Sequence, residues 1–430
     1  MKETDIVKES ALLGESYTYR KHSSGLSIYV FPKKLSTTYA LLATEFGSVD
    51  VATDEGGLET LPDGVAHFLE HKLFTNEDGS DAFEHFSAFG ADANAYTSHT
   101  RTVYLFSCTD RFSDSLGELI DFVTNPYFTK ESVAKEQGII GEEIRMCGDN
   151  PYDRCYFQML QGLYAEHPVR IDICGSVSSI ARITPEVLYR AYKTFYRLSN
   201  MTLVVCGDVT SEEVFAIADK HLPKTGDMTP PPRGTVAEDA TAFRSLVEGY
   251  GQVAKPVFSI GIKDTALPRD PLARLKRDAG MAILNEMLFS PAGELYEQLF
   301  DEGMISPELS ANYSLTRDFA FNQISGEADD PVAVQEKIFA YIEKMQKNGL
   351  DAADFERCRR IEYAEYIKSF DSTEEIANTL LSFASESVEY FSYPSVLESI
   401  DLTYVEGLLA SCYSREYCTL SVIYPNKKES

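Results

Sequence analysis

The chain has 430 residues, with 39 Lys+Arg against 67 Asp+Glu and a formal net charge of −28. That balance repels phosphate and excludes nucleic acid as a partner, while an acidic surface suits cationic peptides. With 44% hydrophobic and 25% charged residues it reads as a soluble globular protein of two or three domains with sizeable cores. No apolar run is long enough to span a bilayer, so no membrane partner is expected. The first ten residues, MKETDIVKES, contain no apolar signal core. Eight cysteines occur without a CxxC pair, which points to a reduced, cytoplasmic enzyme.

In chain order, GLSIYVFPKK (25–34) and TTYALLATEFGSV (37–49) are β-branched and aromatic and predict strands. Apolar residues at three- and four-residue spacing predict helices over Gly64 to Phe74, Ser113 to Thr124 and Glu131 to Met146. Between the first two of these helices, Ala93 to Cys108 predicts a strand pair or one long strand. The segment LPKTGDMTPPPR (Leu222 to Arg233) ends in three consecutive prolines and divides the chain near its middle. The expected layout is a domain over 1–225, a linker over 226–245 and a second domain over 246–430.

The two halves resemble each other. NPYFTKESVAKEQGIIGEEI (Asn125 to Ile144) aligns with KNGLDAADFERCRRIEYAEYI (Lys347 to Ile367), placing Phe128 on Leu350 and Glu143 on Glu365. Each half then ends in a β-rich run, Met201 to Val209 and Cys418 to Pro425. A repeat of nearly half the chain predicts duplication of one α/β unit, an α+β fold.

The first predicted helix carries GVAHFLEHKLF, with His67, Glu70 and His71 at i, i+3 and i+4 on one face. Two imidazoles one turn apart can share one Zn²⁺, and a carboxylate beside them can act as a base toward water. HxxEH is the inverse of the commoner HExxH order. The same helix carries Val65, Phe68, Leu69, Leu73 and Phe74, so it packs into a core, where histidines need partners. A catalytic zinc needs a third protein ligand, and the helix Glu131 to Met146 offers Glu136, Glu142 and Glu143. Glu136 and Glu143 lie two turns apart on a shared face; Glu142 points about 100° away. One of that pair can bind metal while the other orients a ligand. The remaining histidines, His22, His85, His99, His167 and His221, have no ligand spacing.

HFLEH followed by ExxxxxxEE resembles the pitrilysin/insulinase family of inverted zincins. The likeness continues through ANAYTSHTRTVYLF and through His167 to Val209, with His167-Pro168, Gly175, Ile183-Thr184, Tyr196, Asn200-Met201 and Gly207-Asp208 in the family's order. It is strong over the first half and covers the second by fold repeat. The resemblance implies two homologous domains, each an antiparallel sheet covered by helices, closing as a clamshell around a peptide chamber. It implies His67, His71 and Glu143 as zinc ligands, Glu70 as general base and Glu136 as a supporting catalytic carboxylate. It also implies substrate binding along the strand at Asn94, Ala95 and Tyr96. The expected activity is zinc-dependent hydrolysis of peptides or unfolded segments. Other readings are a non-catalytic assembly subunit, or a maturase for one peptide precursor.

The corresponding helix of the second half places Ile283 on His67, Glu286 on Glu70 and Met287 on His71, so that copy has no metal ligands. In the shorter bacterial and mitochondrial branch, the second half or a partner subunit carries an RExxGLxY-like motif that holds substrate. Here Leu299-Phe300 stands in place of Arg-Glu and Ser306 at the Tyr position, although Gly303 remains; Tyr313 or Arg317 are nearby substitutes. The expectation is a zinc-bearing subunit whose homologous partner supplies Arg and Tyr, with a homodimer as the alternative.

Overall fold

The computed structural model describes residues 5–50, 61–77, 79–226, 228–231, 233–234 and 236–426. Two positions of the Pro-rich segment, 227 and 232, lie outside the described residues, as does the start of MKETDIVKES. The chain forms two compact units. Among the described residues, no helix is long and apolar enough to cross a membrane.

The first unit is built on a seven-stranded sheet. Its strands are β1 (Ile6–Ser10), β2 (Glu15–Lys21), β3 (Ser27–Pro32), β4 (Thr38–Thr44), β5 (Asp92–Thr97), β6 (Thr102–Cys108) and β7 (Met201–Gly207). Their order is β1-β2-β3-β7-β4-β6-β5. β7 enters last and inserts between β3, to which it is parallel, and β4, to which it is antiparallel. Every residue of β4 is buried, as expected for a central strand covered on both faces. β5 is an edge strand with alternating exposure. Four helices of this half are α1 (Val65–Leu73), α2 (Ala82–Phe89), α3 (Phe112–Thr124) and α4 (Lys130–Asp149). Phe68, Leu69, Phe86, Leu119 and Ile140 join β-strand side chains in one hydrophobic core.

The second unit holds β8 (Leu246–Gly251), β9 (Val257–Lys263), β10 (Leu309–Leu315), β11 (Ala320–Glu327) and β12 (Cys418–Pro425). Their order is β10-β11-β9-β12-β8. β12 again enters last, parallel to β8 and antiparallel to β9. Mapping β3, β7, β4, β6 and β5 onto β8, β12, β9, β11 and β10 reproduces the sheet strand for strand. The duplication expected from sequence is therefore present in the topology, and the first unit adds the β1–β2 hairpin.

The compact units are not the contiguous halves 1–225 and 246–430. Residues 145–171 belong to the second unit and 369–391 to the first. α5 (Pro151–Leu163) follows α4 after one residue, started by Asn150, whose side chain accepts from the Tyr152 N–H, and by Pro151 at the first turn. It buries Cys155, Met159, Leu160 and Leu163 and packs on β12 and β9. In exchange, the helix Thr373–Ser385 buries Ile376, Ala377, Leu380 and Leu381 and packs on β7 and β4. Each sheet thus has one face covered by a helix from the other half of the sequence. Gly162 makes the first of these contacts possible, because a Cβ there would stand 2.3 Å from Thr419 Oγ1. Gly162→Ala should therefore destabilise the protein by roughly 1–3 kcal/mol through overpacking. A thermal unfolding scan would read this as a lowered midpoint; an unchanged midpoint would mean that α5 has room to move off the sheet.

Candidate metal centre

α1 starts without a side-chain cap. Its N-cap, Gly64, has φ +88°, and a Cβ there would meet the Cys174 carbonyl oxygen at 2.4 Å. Gly175 mirrors this with φ +72° and a Cβ position 2.6 Å from Asp63 O. Ser179 Oγ also donates to Asp63 O at 2.9 Å. Two glycines in the left-handed region thus press the loop at 172–176 against the first turn of α1. One face of α1 buries Val65, Phe68, Leu69 and Leu73 in the core. That leaves His67, Glu70 and His71 along the opposite stripe, with His67 only 7% exposed.

α4 delivers the acidic partners. The two oxygens of Glu143 each face one imidazole: Oε1 lies 3.5 Å from His67 Nε2, and Oε2 lies 3.5 Å from His71 Nε2. The two rings meet edge to face with centroids 4.6 Å apart. Glu136, two turns earlier, accepts from His71 Nδ1 at 3.2 Å. That bond places the proton on Nδ1 and leaves Nε2 as a lone-pair donor directed at Glu143. Glu142 is exposed to solvent on another face of α4. The alternatives among the three glutamates are thereby separated by position: Glu143 reaches both histidines, and Glu136 supports one.

These donors fit a zinc ion. Ligands held about 2.0–2.1 Å from zinc in a tetrahedron stand roughly 3.3 Å from one another, close to the N···O separations seen here. Their charges point the same way, since Glu70, Glu136 and Glu143 surround two imidazoles. Burial opposes a charged His71 ring, but the Glu136 hydrogen bond and the charges of Glu70, Glu143 and Glu136 raise its pKa. The hydrogen bond to His67 lowers the pKa of Glu143 against the opposing effect of burial. A pocket that favours positive charge this strongly suits a dication. His67 Nδ1 is buried without a hydrogen-bond partner.

Three further residues of this site are not singled out by sequence spacing. Thr97, the last residue of β5, donates its hydroxyl to Glu70 Oε2 at 2.6 Å. Lys72 is 1% exposed; its Nζ donates to Thr75 Oγ1 at 3.2 Å and stands 3.9 Å from Glu136 Oε2. Cys174 Sγ, one ring nitrogen of His67 and one oxygen of Glu143 lie within 4.8 Å of one another. The only sequence signals were a lysine directly after HxxEH and polar residues at the end of a strand or in a loop, which mark no partner.

On β5, Asn94 and Tyr96 are exposed, and Ala95 is half-buried between them. The Asn94 side-chain oxygen accepts from the Ala95 N–H at 2.8 Å, and the Tyr96 hydroxyl donates to Asn378 Oδ1 at 3.3 Å. The five other histidines are engaged elsewhere: His22 with Ser24 and Asp219, His85 with Glu118, His99 with Ser48, His167 with the Val169 N–H and His221 with Asp121.

In the second copy, Ile283 and Met287 on the helix Pro271–Phe289 are buried apolar residues. Glu286 stands 3.6 Å from Arg357. Phe300 is exposed and stacks on Tyr296, and the Ser306 hydroxyl lies 3.5 Å from Glu327 Oε2. Tyr313 donates to Asp264 Oδ2 at 2.5 Å, and Asp264 is itself held by Arg277 through bonds of 2.7 and 2.8 Å.

Known proteins resemble this chain in sequence and fold. The family model described as Insulinase (Peptidase family M16) matches residues 43–175, and that described as Peptidase M16 inactive domain matches residues 182–362. An uncharacterized zinc protease of Bacillus subtilis, YmfH, is 38% identical over 419 residues, covering 96% of this chain and 97% of YmfH. AlbF of the same organism, named a putative zinc protease, is 33% identical over 214 residues, about half of each chain. Among solved structures, an M16-like chain from Alicyclobacillus acidocaldarius superposes with a TM-score of 0.92 at 33% identity, covering 97% of this chain and all of that one. Pitrilysin shares the fold, with a TM-score of 0.77 at 16% identity over 47% of its length. With a full-length relative at that identity and a duplicated sheet of the same architecture, the chain belongs to the insulinase family of peptidases, M16.

Proposed function

We propose that this chain is a zinc endopeptidase acting on peptides or unfolded segments in a reducing, cytoplasmic setting. The observation that carries the reading is Glu143, whose two oxygens each face an imidazole Nε2 at 3.5 Å. His67, His71 and Glu143 would hold the ion. When bound, zinc supplies a Lewis acid that polarises the scissile carbonyl and makes water acidic enough to attack at neutral pH. Glu70, oriented by the Thr97 hydroxyl, takes the proton of the attacking water and later gives it to the leaving amine. Glu136 is a positioning residue that fixes the His71 tautomer. The β5 edge at Asn94, Ala95 and Tyr96 aligns an extended substrate by strand addition.

The same reading assigns substrate clamping to a homologous partner. Leu299 and Ser306 stand where Arg and Tyr would hold substrate. The Tyr313 hydroxyl is committed to Asp264 in a cluster in which Arg277 also lies 3.0 Å from Cys412 Sγ. Arg277 and Asp264 are each under 10% exposed, so freeing that hydroxyl would disturb a buried ion pair.

Glu70→Gln should retain one zinc per chain and lose peptide hydrolysis by about 10²–10⁴-fold, since only the proton acceptor changes. Metal analysis paired with cleavage of a fluorogenic peptide decides this, and wild-type rates in the variant would remove Glu70 from the mechanism. Glu143→Gln should weaken zinc binding by more than about a hundredfold, a larger loss than that caused by removing an outer-shell partner. Competition against a chromogenic chelator measures it; unchanged affinity would mean that another group is the third ligand. The purified lone chain should cleave peptides slowly and gain rate when a homologous subunit bearing the Arg/Tyr motif is added. Full activity without any partner would overturn the division of labour.

A further inference from the structure

We infer that Cys174 is a fourth protein donor to the metal of this centre, a thiolate that fills the coordination position that hydrolysis needs for water. The inference rests on His67, His71 and Glu143 forming a zinc site. Its first support is proximity: Cys174 Sγ, a ring nitrogen of His67 and an oxygen of Glu143 lie within 4.8 Å of one another. A second support comes from His67, which is 7% exposed, so the ring that Cys174 and Glu143 share is screened from solvent. The loop's placement is a third. Gly64 and Gly175 admit contacts that any side chain would block, and the Cys174 N–H is fixed by Asp172 Oδ1 at 2.9 Å. The backbone of Cys174 is thus locked against the helix that bears both histidines, one turn before His67.

The remaining gap to the His67 and Glu143 donors is small. A sulfur about 2.3 Å and a nitrogen about 2.0 Å from one tetrahedral zinc stand roughly 3.6 Å apart. Moving Cys174 between staggered χ1 rotamers swings its sulfur by up to about 3 Å, more than that difference. Binding forms one sulfur–metal bond and releases the thiol proton to solvent. Thiolate and water compete for the same position, so the thiolate-bound centre is a resting state from which the sulfur must leave before attack.

Cobalt(II) as the only added metal tests this on the full-length protein. One equivalent bound to the chelator-stripped chain should give visible ligand-field bands and a near-ultraviolet thiolate-to-cobalt charge-transfer band. Cys174→Ser and Cys174→Ala should keep the cobalt and lose the charge-transfer band. In the wild type, metal loading should slow alkylation of Cys174 by iodoacetamide, followed by peptide mass spectrometry, by about tenfold or more. A band that survives in both variants, or equal alkylation with and without metal, overturns the inference. If one cobalt binds, is lost in His71→Ala and shows no thiolate band, the fourth ligand is wrong while the zinc site stands. If cobalt binding is indifferent to His71→Ala, both readings fall together.

Discussion

The carboxylate of Glu143 meets two imidazoles at once, and much of the first unit is arranged so that it can. Two histidines one turn apart on α1 are only a pair of donors. They become a candidate site because α4 puts Glu143 opposite both rings and Glu136 beside one of them. Without a cation between them this is a crowded place for negative charge, since three carboxylates surround two imidazoles, one of them buried. A dication reverses that sign. The left-handed glycines at 64 and 175 fix where α1 begins, and the β-sheet fixes the plane on which it rests.

The second unit shows what the same scaffold does without that constraint. Its five strands repeat the order and polarity of their counterparts, yet Ile283 and Met287 replace the histidines by position and are buried. Apolar side chains there need no partner, so the desolvation problem disappears. A cavity of about 550 Å³ persists beside the edge strand β10, lined among others by Glu286, Tyr313 and Glu362. Burial raises the pKa of Glu362, which accepts the Tyr393 hydroxyl at 2.5 Å. Among the described residues the second unit thus has a cavity beside its edge strand but no matching set of metal donors, so the sheet architecture does not itself depend on such a set.

Sequence periodicity made the helix with His67, Glu70 and His71, the strand pair at 93–108 and the repeat legible, because each is a local pattern. Spacing narrowed the third donor to carboxylates on one helix but not to one residue. Only the placement of α4 against α1 distinguishes Glu143, which faces both rings, from Glu136, which reaches one. The exchange of α5 and the helix Thr373–Ser385 between the sheets was invisible. An amphipathic helix shows that it has an apolar face, not which sheet covers it. Thr97, Lys72 and Cys174 were missed for a related reason: their partners lie 27, 64 and 107 residues away in Glu70, Glu136 and His67, and no short-range spacing encodes such pairs.

The bond from Thr97 to Glu70 joins the two functions the proposed reaction needs. β5 is an edge strand, and an added strand slips register easily when only backbone hydrogen bonds hold it. Thr97 ends that strand, and its hydroxyl is 2.6 Å from the carboxylate that would accept the proton. The strand that would align substrate is thereby tied to the carboxylate that would act as base. A polypeptide paired with β5 would present successive carbonyls on alternating sides, and only those two residues apart would face Glu70. The spacing of the strand, set by the sheet, then determines which bond along an extended substrate reaches the base, independently of the substrate's own sequence.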